Sequence, residues 1–352
     1  MISSQSRTSA WIMGIRETSR GRDPILIEKM IMALTLVEEL RLSGLGFIFK
    51  GGTSLILLRG TLERFSIDID IVVTGKQDLE KYFQVILEKG VFQRYEENRR
   101  ASELPKQHFK FFFNSVVEKK ESNILLDILF EDNPYPQLQE VNLQSPLLSV
   151  EGKITRVVCP TMEGLLGDKL TAFAPHTTGV LYGKDKELEI AKQLFDIGVL
   201  FESVDDLELV RLAFEKISAT QLTYRLLSKL GPANVLRDTF GTACLIGMRG
   251  SNSSVEYAEL LDGFKKLAGY IYSGYFTLDT AILCAAKAAY LATILLKHEA
   301  TILRFKDGQD LSSWKILNQD YNKLNKLKKT SPDAFFYYFR ALELLELVGN
   351  EK

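Results

Sequence analysis

A glycine turn placed between a strand and a helix constrains the fold of this chain more than any other stretch. Gly46 to Phe49 is a short apolar run, long enough for a buried strand, and Gly51 and Gly52 end it before Thr53 to Leu58 begin a helix. A strand that passes through such a turn into a helix presents unpaired backbone N–H groups, which suit a phosphate. The stretch therefore predicts a phosphate-binding turn.

The next segment predicts a second strand that carries two acidic side chains. Ile67, Ile69 and Ile71 alternate with Asp68 and Asp70, so the isoleucines face a core and both carboxylates share the other face, roughly 7 Å apart. Like charges at this distance need a positive group between them. Magnesium binds through one or two carboxylates together with substrate phosphates. We therefore predict Mg²⁺ (or Mn²⁺) at Asp68 and Asp70, with a nucleoside triphosphate in the glycine turn.

Two of these features have alternative interpretations. The glycine pair could be a tight turn without a ligand. The sequence argues against a kinase or GTPase P-loop, because Gly52 stands where that motif requires lysine. Asp127 lies in an apolar run and is either on the exposed face of a strand or a third metal ligand. We favour ligation, because an unpaired buried carboxylate is costly.

Composition limits the class of protein. With 352 residues and 46% hydrophobic content the chain suits two domains with real cores, and three scattered cysteines favour a reducing cytoplasm over a disulfide framework or zinc site. The formal net charge of −1 leaves nucleic-acid binding to local patches. Two basic clusters are either solvated faces or RNA contacts: Lys323, Lys326, Lys328 and Lys329, and Arg99, Arg100, Lys106 and Lys110. His176 is interpreted as a solvent-facing loop residue.

The periodicity predicts an α+β fold, with a catalytic α/β lobe at residues 1–158 and a helical lobe at residues 159–352 that closes the cleft. Two strands, 108–117 and 123–130, are predicted to flank a charged turn at 118–122, and residues 94–107 are predicted to be irregular. Late helices are predicted at 204–217, 221–230 and 313–327, among others. The apolar stretch 281–296 contains Lys287 and is interpreted as a buried core helix, with no membrane span. On composition alone, Lys169 and Asp196 are ordinary helix charges.

Four segments in order resemble the motifs of the AbiEii-type nucleotidyltransferase toxins, which belong to the DNA-polymerase-β-like nucleotidyltransferase superfamily. The segments are Lys50-Gly-Gly-Thr-Ser-Leu55, Arg64-Phe-Ser-Ile-Asp-Ile-Asp70, the helix with Asp168-Lys169 and the helix with Phe195-Asp196-Ile197. The stretch Ala172 to Gly179 is also similar to that family. The resemblance covers roughly residues 25 to 200 and implies a nucleotidyltransferase-like mixed sheet with flanking helices.

The resemblance implies roles for individual residues. Asp68 and Asp70 would be catalytic metal ligands, Lys169 would meet the triphosphate and Asp196 would complete the active site. The residues implied in nucleotide binding are Gly51, Gly52, Thr53, Ser54, Arg64 and Ser66. The implied activity is transfer of a nucleoside monophosphate to RNA, at the 3′ end of tRNA, by a cytoplasmic phage-defence toxin that a cognate antitoxin holds in check.

Two other classes of function stay open from the sequence. The chain could modify a small molecule or a protein, like the antibiotic-modifying enzymes of the same superfamily. It could also be a nucleotide-binding regulator without transferase chemistry.

Overall fold

The chain folds into two compact units. The computed structural model describes residues 1–98, 105–250 and 254–349. The first unit contains Met1–Thr161 and Tyr270–Gly274, and the second contains Met162–Gly269 and Tyr275–Lys352. The short segment 270–274 belongs to the first unit because the N–H of Phe65 donates to the carbonyl of Tyr270 at 2.7 Å. Closure of a cleft by the helical lobe stays a prediction.

A mixed sheet organises the first unit. Within the described residues it has seven strands in the order β3-β4-β5-β2-β1-β7-β6. The strands are β1 (Ile48–Lys50), β2 (Ile69–Val73), β3 (Arg94–Glu97), β4 (Lys106–Asn114), β5 (Glu121–Phe130), β6 (Leu138–Asn142) and β7 (Arg156–Pro160). The pairs β2–β5 and β1–β7 are parallel, and the other neighbouring pairs are antiparallel. The predicted mixed sheet is confirmed.

Four α-helices accompany the sheet within the described part of this unit, after a short 3-10 helix at Ser4–Arg7: α1 (Ser9–Thr18), α2 (Pro24–Leu42), α3 (Gly51–Arg59) and α4 (Glu80–Glu88). Helix α2 begins at Pro24, whose fixed φ suits a first helical position, and the carboxylate of Asp23 accepts from the N–H of Ile25 at 2.8 Å. The core lies on the face of β2 that Ile69 and Ile71 occupy, because both isoleucines are fully buried there.

Within its described residues, the regular structure of the second unit is helical, as predicted for the C-terminal region. Its helices are α5 (Met162–Ala172), α6 (Glu187–Phe201), α7 (Leu207–Tyr224), α8 (Pro232–Gly247), α9 (Ser254–Ala268), α10 (Leu278–Leu296), α11 (Leu327–Thr330) and α12 (Pro332–Leu344). All three cysteines are buried free thiols, and burial raises the pKa of Cys284 to about 11 and that of Cys159 to about 12. These thiols are therefore poorly reactive.

Helix α10 is the core helix of the second unit. It is long and apolar enough to span a bilayer, but 78% of its apolar 18-residue stretch is buried inside the protein. The helix packs against α6, α8 and α12. Lys287, on this helix, reaches Glu202 at 2.5 Å, so its ammonium is paired at the rim of the core. The predicted buried alanine-rich helix is confirmed.

Several predicted elements were wrong. Residues 313–321 form no helix; instead the Asn325 side chain pairs with the N–H and C=O of Ile316, and Trp314 packs on Phe336. The two helices predicted around residues 204–230 are one helix, α7. Its threonine hydroxyls donate back to carbonyls of the preceding turn, so these residues fit inside the helix.

The strands β3 and β6 were missed. Strand β3 lies in the region predicted to be irregular, and its charged residues hid it. Arg94 pairs with Glu121 and lies over the Phe112 ring at 3.5 Å, so charged side chains cover an edge of the sheet.

Enlarging an alanine of α10 tests the assignment of that helix to a protein core. Ala288 is fully buried, so Ala288→Leu is expected to lower the free energy of unfolding by about 1–3 kcal/mol through overpacking. Ala258→Leu makes the same change at an exposed position of α9 and is expected to change it by less than about 0.5 kcal/mol. Urea unfolding followed by circular dichroism measures both. Equal effects would contradict the assignment.

Candidate functional site

The glycine turn is crowded by the acidic strand. Gly51 has a φ of +77°, in the left-handed region, and a Cβ added to it would lie 2.2 Å from Oδ2 of Asp70. A Cβ added to Gly52 would lie 2.5 Å from Nη2 of Arg64 and 2.8 Å from Oγ of Ser66. Both positions therefore need glycine for the turn to approach the carboxylate and the guanidinium.

The turn opens directly into helix α3. The helix begins at Gly51, and the side chain of its N-cap residue, Lys50, makes no capping hydrogen bond. The backbone N–H groups of the first turn carry the positive end of the helix dipole. The turn thus presents backbone donors next to a buried arginine, which is the local chemistry that binds phosphate.

Two hydroxyls predicted to bind nucleotide build the turn. Thr53 is fully buried; its hydroxyl donates to the carbonyl of Asp68 at 2.6 Å and lies 3.0 Å from Oγ of Ser66. Ser54 is also fully buried, and its hydroxyl donates to the carbonyl of Gly51 at 2.9 Å. The bonds of Thr53 tie the turn to the segment that enters β2, and the bond of Ser54 closes the turn itself, so both hydroxyls already have partners within the protein.

Four polar residues form a row across the sheet, on the face opposite the core. Lys50 of β1 pairs with Asp70 of β2, Asp70 pairs with Asp127 of β5, and Asp127 pairs with His108 of β4. Paired residues on neighbouring strands point to the same face of a sheet. We call Lys50, Asp70, Asp127 and His108 the polar row. Asp68 lies directly before β2 and is half-buried.

His108 is the residue of this row that the sequence analysis missed. Its Nδ1 lies 2.7 Å from Oδ1 of Asp127. The side chain of His108 is 12% exposed and that of Asp127 is 34% exposed. The sequence offered one signal, the pairing of β4 with β5 through a short turn, but that turn lies at residues 115–120, before the predicted position.

The donor set suits a hard divalent cation. Asp70 and Asp127 are adjacent carboxylates, and oxygen ligands are what magnesium and manganese bind. Within the described residues, no group of three or more His, Cys, Asp or Glu side chains is arranged to hold a metal ion by itself. Magnesium commonly completes its shell with water and substrate phosphates, so the two neighbouring carboxylates beside the glycine turn fit it.

The second unit contains a separate buried ion pair. Nζ of Lys169 on α5 lies 2.8 Å from Oδ2 of Asp196 on α6, and it also donates to Oε1 of Gln193 at 3.0 Å. The side chains of Lys169 and Asp196 are 7% and 3% exposed. The two residues that composition alone marks as ordinary helix charges are therefore brought together, across the loop between their helices.

His176 bridges two acidic side chains of the second unit. Its Nδ1 lies 2.8 Å from Oδ1 of Asp238 on α8, and its Nε2 lies 2.9 Å from Oε1 of Glu256 on α9. Burial alone would lower the pKa of His176, but hydrogen bonds to Glu256 and Asp238 and their negative charge raise it above its usual value. The interpretation as a mere solvent-facing residue was incomplete, although the ring is about half exposed.

The two basic clusters differ in availability. Lys323, Lys326 and Lys329 are exposed, whereas the ammonium of Lys328 donates to the carbonyls of Ser312 and Trp314. In the other cluster, Lys106 and Lys110 are half-buried on β4. Arg99 and Arg100 lie outside the described residues.

The residues described above lie within a range that matches a known protein family. A family model described as "Nucleotidyl transferase AbiEii toxin, Type IV TA system" matches residues 36–259, a range that contains the turn, the polar row and the buried ion pair. MenT4, the nucleotidyltransferase toxin Rv2826c from Mycobacterium tuberculosis H37Rv, has a similar fold, with a TM-score of 0.50 and 13% identity over 93% of this chain and 98% of that chain.

A second solved structure is more distant. JHP933 from Helicobacter pylori matches with a TM-score of 0.43 and 13% identity, over 85% of this chain and 94% of that chain. No curated protein sequence matches significantly.

Removing one partner of the buried ion pair tests its structural weight. Lys169→Met leaves Asp196 buried without this cation and is expected to lower the free energy of unfolding by about 3–5 kcal/mol. The double variant Lys169→Met/Asp196→Leu removes both charges and is expected to recover most of that loss. Urea unfolding measures both variants. A single variant as stable as the double one would contradict the pairing.

The His176 bridge predicts a pH-dependent contribution to stability. Because the pKa of His176 is raised in the folded state, its stabilisation is fully present below the ordinary histidine pKa of about 6.5 and is lost as pH rises through the folded-state pKa. His176→Gln stays neutral, so the difference in stability between native protein and variant is expected to shrink from about pH 6 to about pH 9. Thermal unfolding across this range measures it, with His298→Gln as the matched exposed control. A difference that grows with pH would contradict the bridge.

Proposed function

Because this chain belongs to the AbiEii family of nucleotidyl transferase toxins of type IV toxin–antitoxin systems, we propose that it transfers a nucleoside monophosphate from a nucleoside triphosphate to RNA, at the 3′ end of tRNA, with a divalent metal. The observation that carries this proposal is the placement of Asp70 and Asp127 side by side, next to a glycine turn that opens a helix. Such a site has both a phosphate-binding backbone and carboxylates for the metal that accompanies the phosphates.

The metal is assigned to the carboxylates of the first unit. Asp68, Asp70 and Asp127 would hold Mg²⁺ or Mn²⁺, which supplies a lower pKa for the attacking hydroxyl and offsets charge on the leaving oxygen. Asp70 is the central ligand in this assignment because it contacts the turn on one side and pairs with Asp127 on the other.

The chain's own groups bind and orient the triphosphate. The backbone N–H groups of Gly52, Thr53 and Ser54 hold the β- and γ-phosphates at the start of α3. The guanidinium of Arg64, which stands against Gly52 with Ser66, offsets negative charge that grows on the leaving pyrophosphate. In the reaction, a bond forms between the acceptor oxygen and the α-phosphorus, the bond from that phosphorus to the bridging oxygen breaks, and the hydroxyl proton goes to solvent.

The family resemblance assigns two residues of the second unit to the same reaction. Lys169 is proposed to meet the triphosphate, and Asp196 is proposed to act with it. Their mutual ion pair supports a positioning function for Asp196, because a buried carboxylate 2.8 Å from the ammonium fixes the lysine side chain. A bound nucleotide would compete with Asp196 and Gln193 for the same ammonium.

The proposed RNA acceptor is supported by local basic residues, and the proposed antitoxin partner by membership of the family. With a net charge of −1, RNA binding depends on local patches, and the exposed Lys323, Lys326 and Lys329 are the proposed contacts. Membership of a type IV toxin family implies a cognate antitoxin and a nucleoside triphosphate substrate. We propose a cytoplasmic phage-defence toxin, and the three buried free cysteines agree with a reducing compartment.

Substituting a single carboxylate tests the site. Asp70→Asn keeps the shape of the side chain but removes its charge, and it is expected to reduce incorporation of α-labelled nucleotide by about a hundredfold or more. The control Asp132→Asn removes an exposed carboxylate of the same unit and is expected to incorporate at the native rate. Incorporation is measured with each of the four triphosphates and Mg²⁺, on total RNA or total protein, and thermal unfolding confirms that both variants fold.

The outcomes separate the competing functions. Labelled RNA, with the added nucleotide mapped to tRNA 3′ ends by sequencing, supports the proposal. Labelled protein, or consumption of triphosphate with neither polymer labelled, indicates a protein- or small-molecule-modifying enzyme. Nucleotide-dependent stabilisation without any product indicates a regulator. Native incorporation by Asp70→Asn would remove the assigned site.

A further inference from the structure

We propose that His108 is a positioning residue that fixes the carboxylate of Asp127 for metal binding. The inference rests on the proposed function, because Asp127 is a metal ligand only if that function is correct. His108 lies outside the segments that resemble the family motifs, and the structure places it at the end of the polar row.

The sheet holds His108 next to Asp127. The two residues are register partners in the antiparallel pair β4–β5, and Nδ1 of the histidine lies 2.7 Å from Oδ1 of the carboxylate. The following residue, Phe109, is 6% exposed in the core, so His108 must point to the opposite face, where Asp127 stands. The backbone carbonyl of His108 also accepts a hydrogen bond from the N–H of Asn98 at 2.7 Å. This bond fixes the backbone position of His108 in β4.

The hydrogen bond does not depend on the charge of the ring. A carboxylate oxygen accepts hydrogen bonds, so the ring nitrogen that faces it carries the hydrogen in the neutral Nδ1–H tautomer and in the imidazolium alike. In both forms the ring donates to Oδ1, and the remaining lone pairs of the Asp127 carboxylate can bind another partner. The histidine therefore selects one orientation of the carboxylate.

The hydrogen bond from His108 opposes the electrostatic repulsion between the two carboxylates of the polar row. Asp127 pairs with Asp70, and two carboxylates on neighbouring strands repel each other. The donor on the far side of Asp127 holds its carboxylate in the row despite this repulsion. Removal of a group that orients a metal ligand in this way typically lowers metal affinity or activity by about 10–100-fold.

The experiment compares two replacements of His108. His108→Leu removes the donor and keeps an apolar side chain of comparable size, whereas His108→Asn retains an N–H group near the position of Nδ1. Asn123→Leu, on the same face of β5 four residues from Asp127, is the matched control. Binding of Mn²⁺ alone, without nucleotide, is measured by electron paramagnetic resonance, and the Mg²⁺ dependence of incorporation is measured in parallel.

The expected result is a 10–100-fold weaker Mn²⁺ affinity for His108→Leu, with His108→Asn and Asn123→Leu within about threefold of the native protein. In the Asp127→Asn background, His108→Leu is expected to have no further effect, because the residue it positions is absent. A purely structural histidine would lower the melting temperature in both backgrounds and would not be rescued by asparagine.

Two results overturn the inference and can be told apart. If Asp70→Asn abolishes Mn²⁺ binding while His108→Leu keeps native affinity, or if His108→Asn loses as much as His108→Leu, only the positioning role falls. If the native protein binds no Mn²⁺, the proposed metal site falls together with it.

Discussion

The parallel pairing of β2 with β5 is the constraint on which the site of the first unit depends. It sets Asp70 beside Asp127, and the pairing of β5 with β4 then adds His108. On the other side, β1 places Lys50 opposite Asp70, and the glycine turn follows at the next residue. A slip of one residue in β2 would turn Asp70 toward the core, so burial of Ile69 and Ile71 fixes the face on which this carboxylate lies.

Local pattern was enough for most of the fold. The apolar stretch 281–296 predicted a buried helix, and α10 is observed there at Leu278–Leu296. The local pattern failed where tertiary contacts replaced local preference. Trp314 and Asn325 hold residues 313–321 in an irregular path, and β3 forms from a charged segment because the neighbouring strand supplies its partners.

The site was predictable to the extent that it is local in sequence. The glycine turn and the alternation of Asp68 and Asp70 with isoleucines are visible within about twenty residues. The partners of Asp70 depend on which strands become neighbours, and periodicity does not encode that. A turn at 118–122 would have paired His108 with residue 132 and not with Asp127. A small error in the predicted position of the turn therefore conceals the contact between the histidine and the carboxylate. Lys169 and Asp196 were found through family resemblance, because a buried pair on two helices has no pattern of its own.

The polar row is partly exposed, whereas the Lys169–Asp196 pair is buried, and this contrast determines how mutation inactivates each. An amide in place of an aspartate of the row leaves the packing of the sheet intact, so under the proposed function the product would accumulate as a folded protein without transferase activity. Loss of one charge from the buried pair leaves the other buried without its counter-ion, which destabilises the fold, and chaperones and proteases remove such chains. Survivors of selection against the toxin would thus divide into cells that keep the polypeptide and cells that have lost it, a division that immunoblotting alone can read.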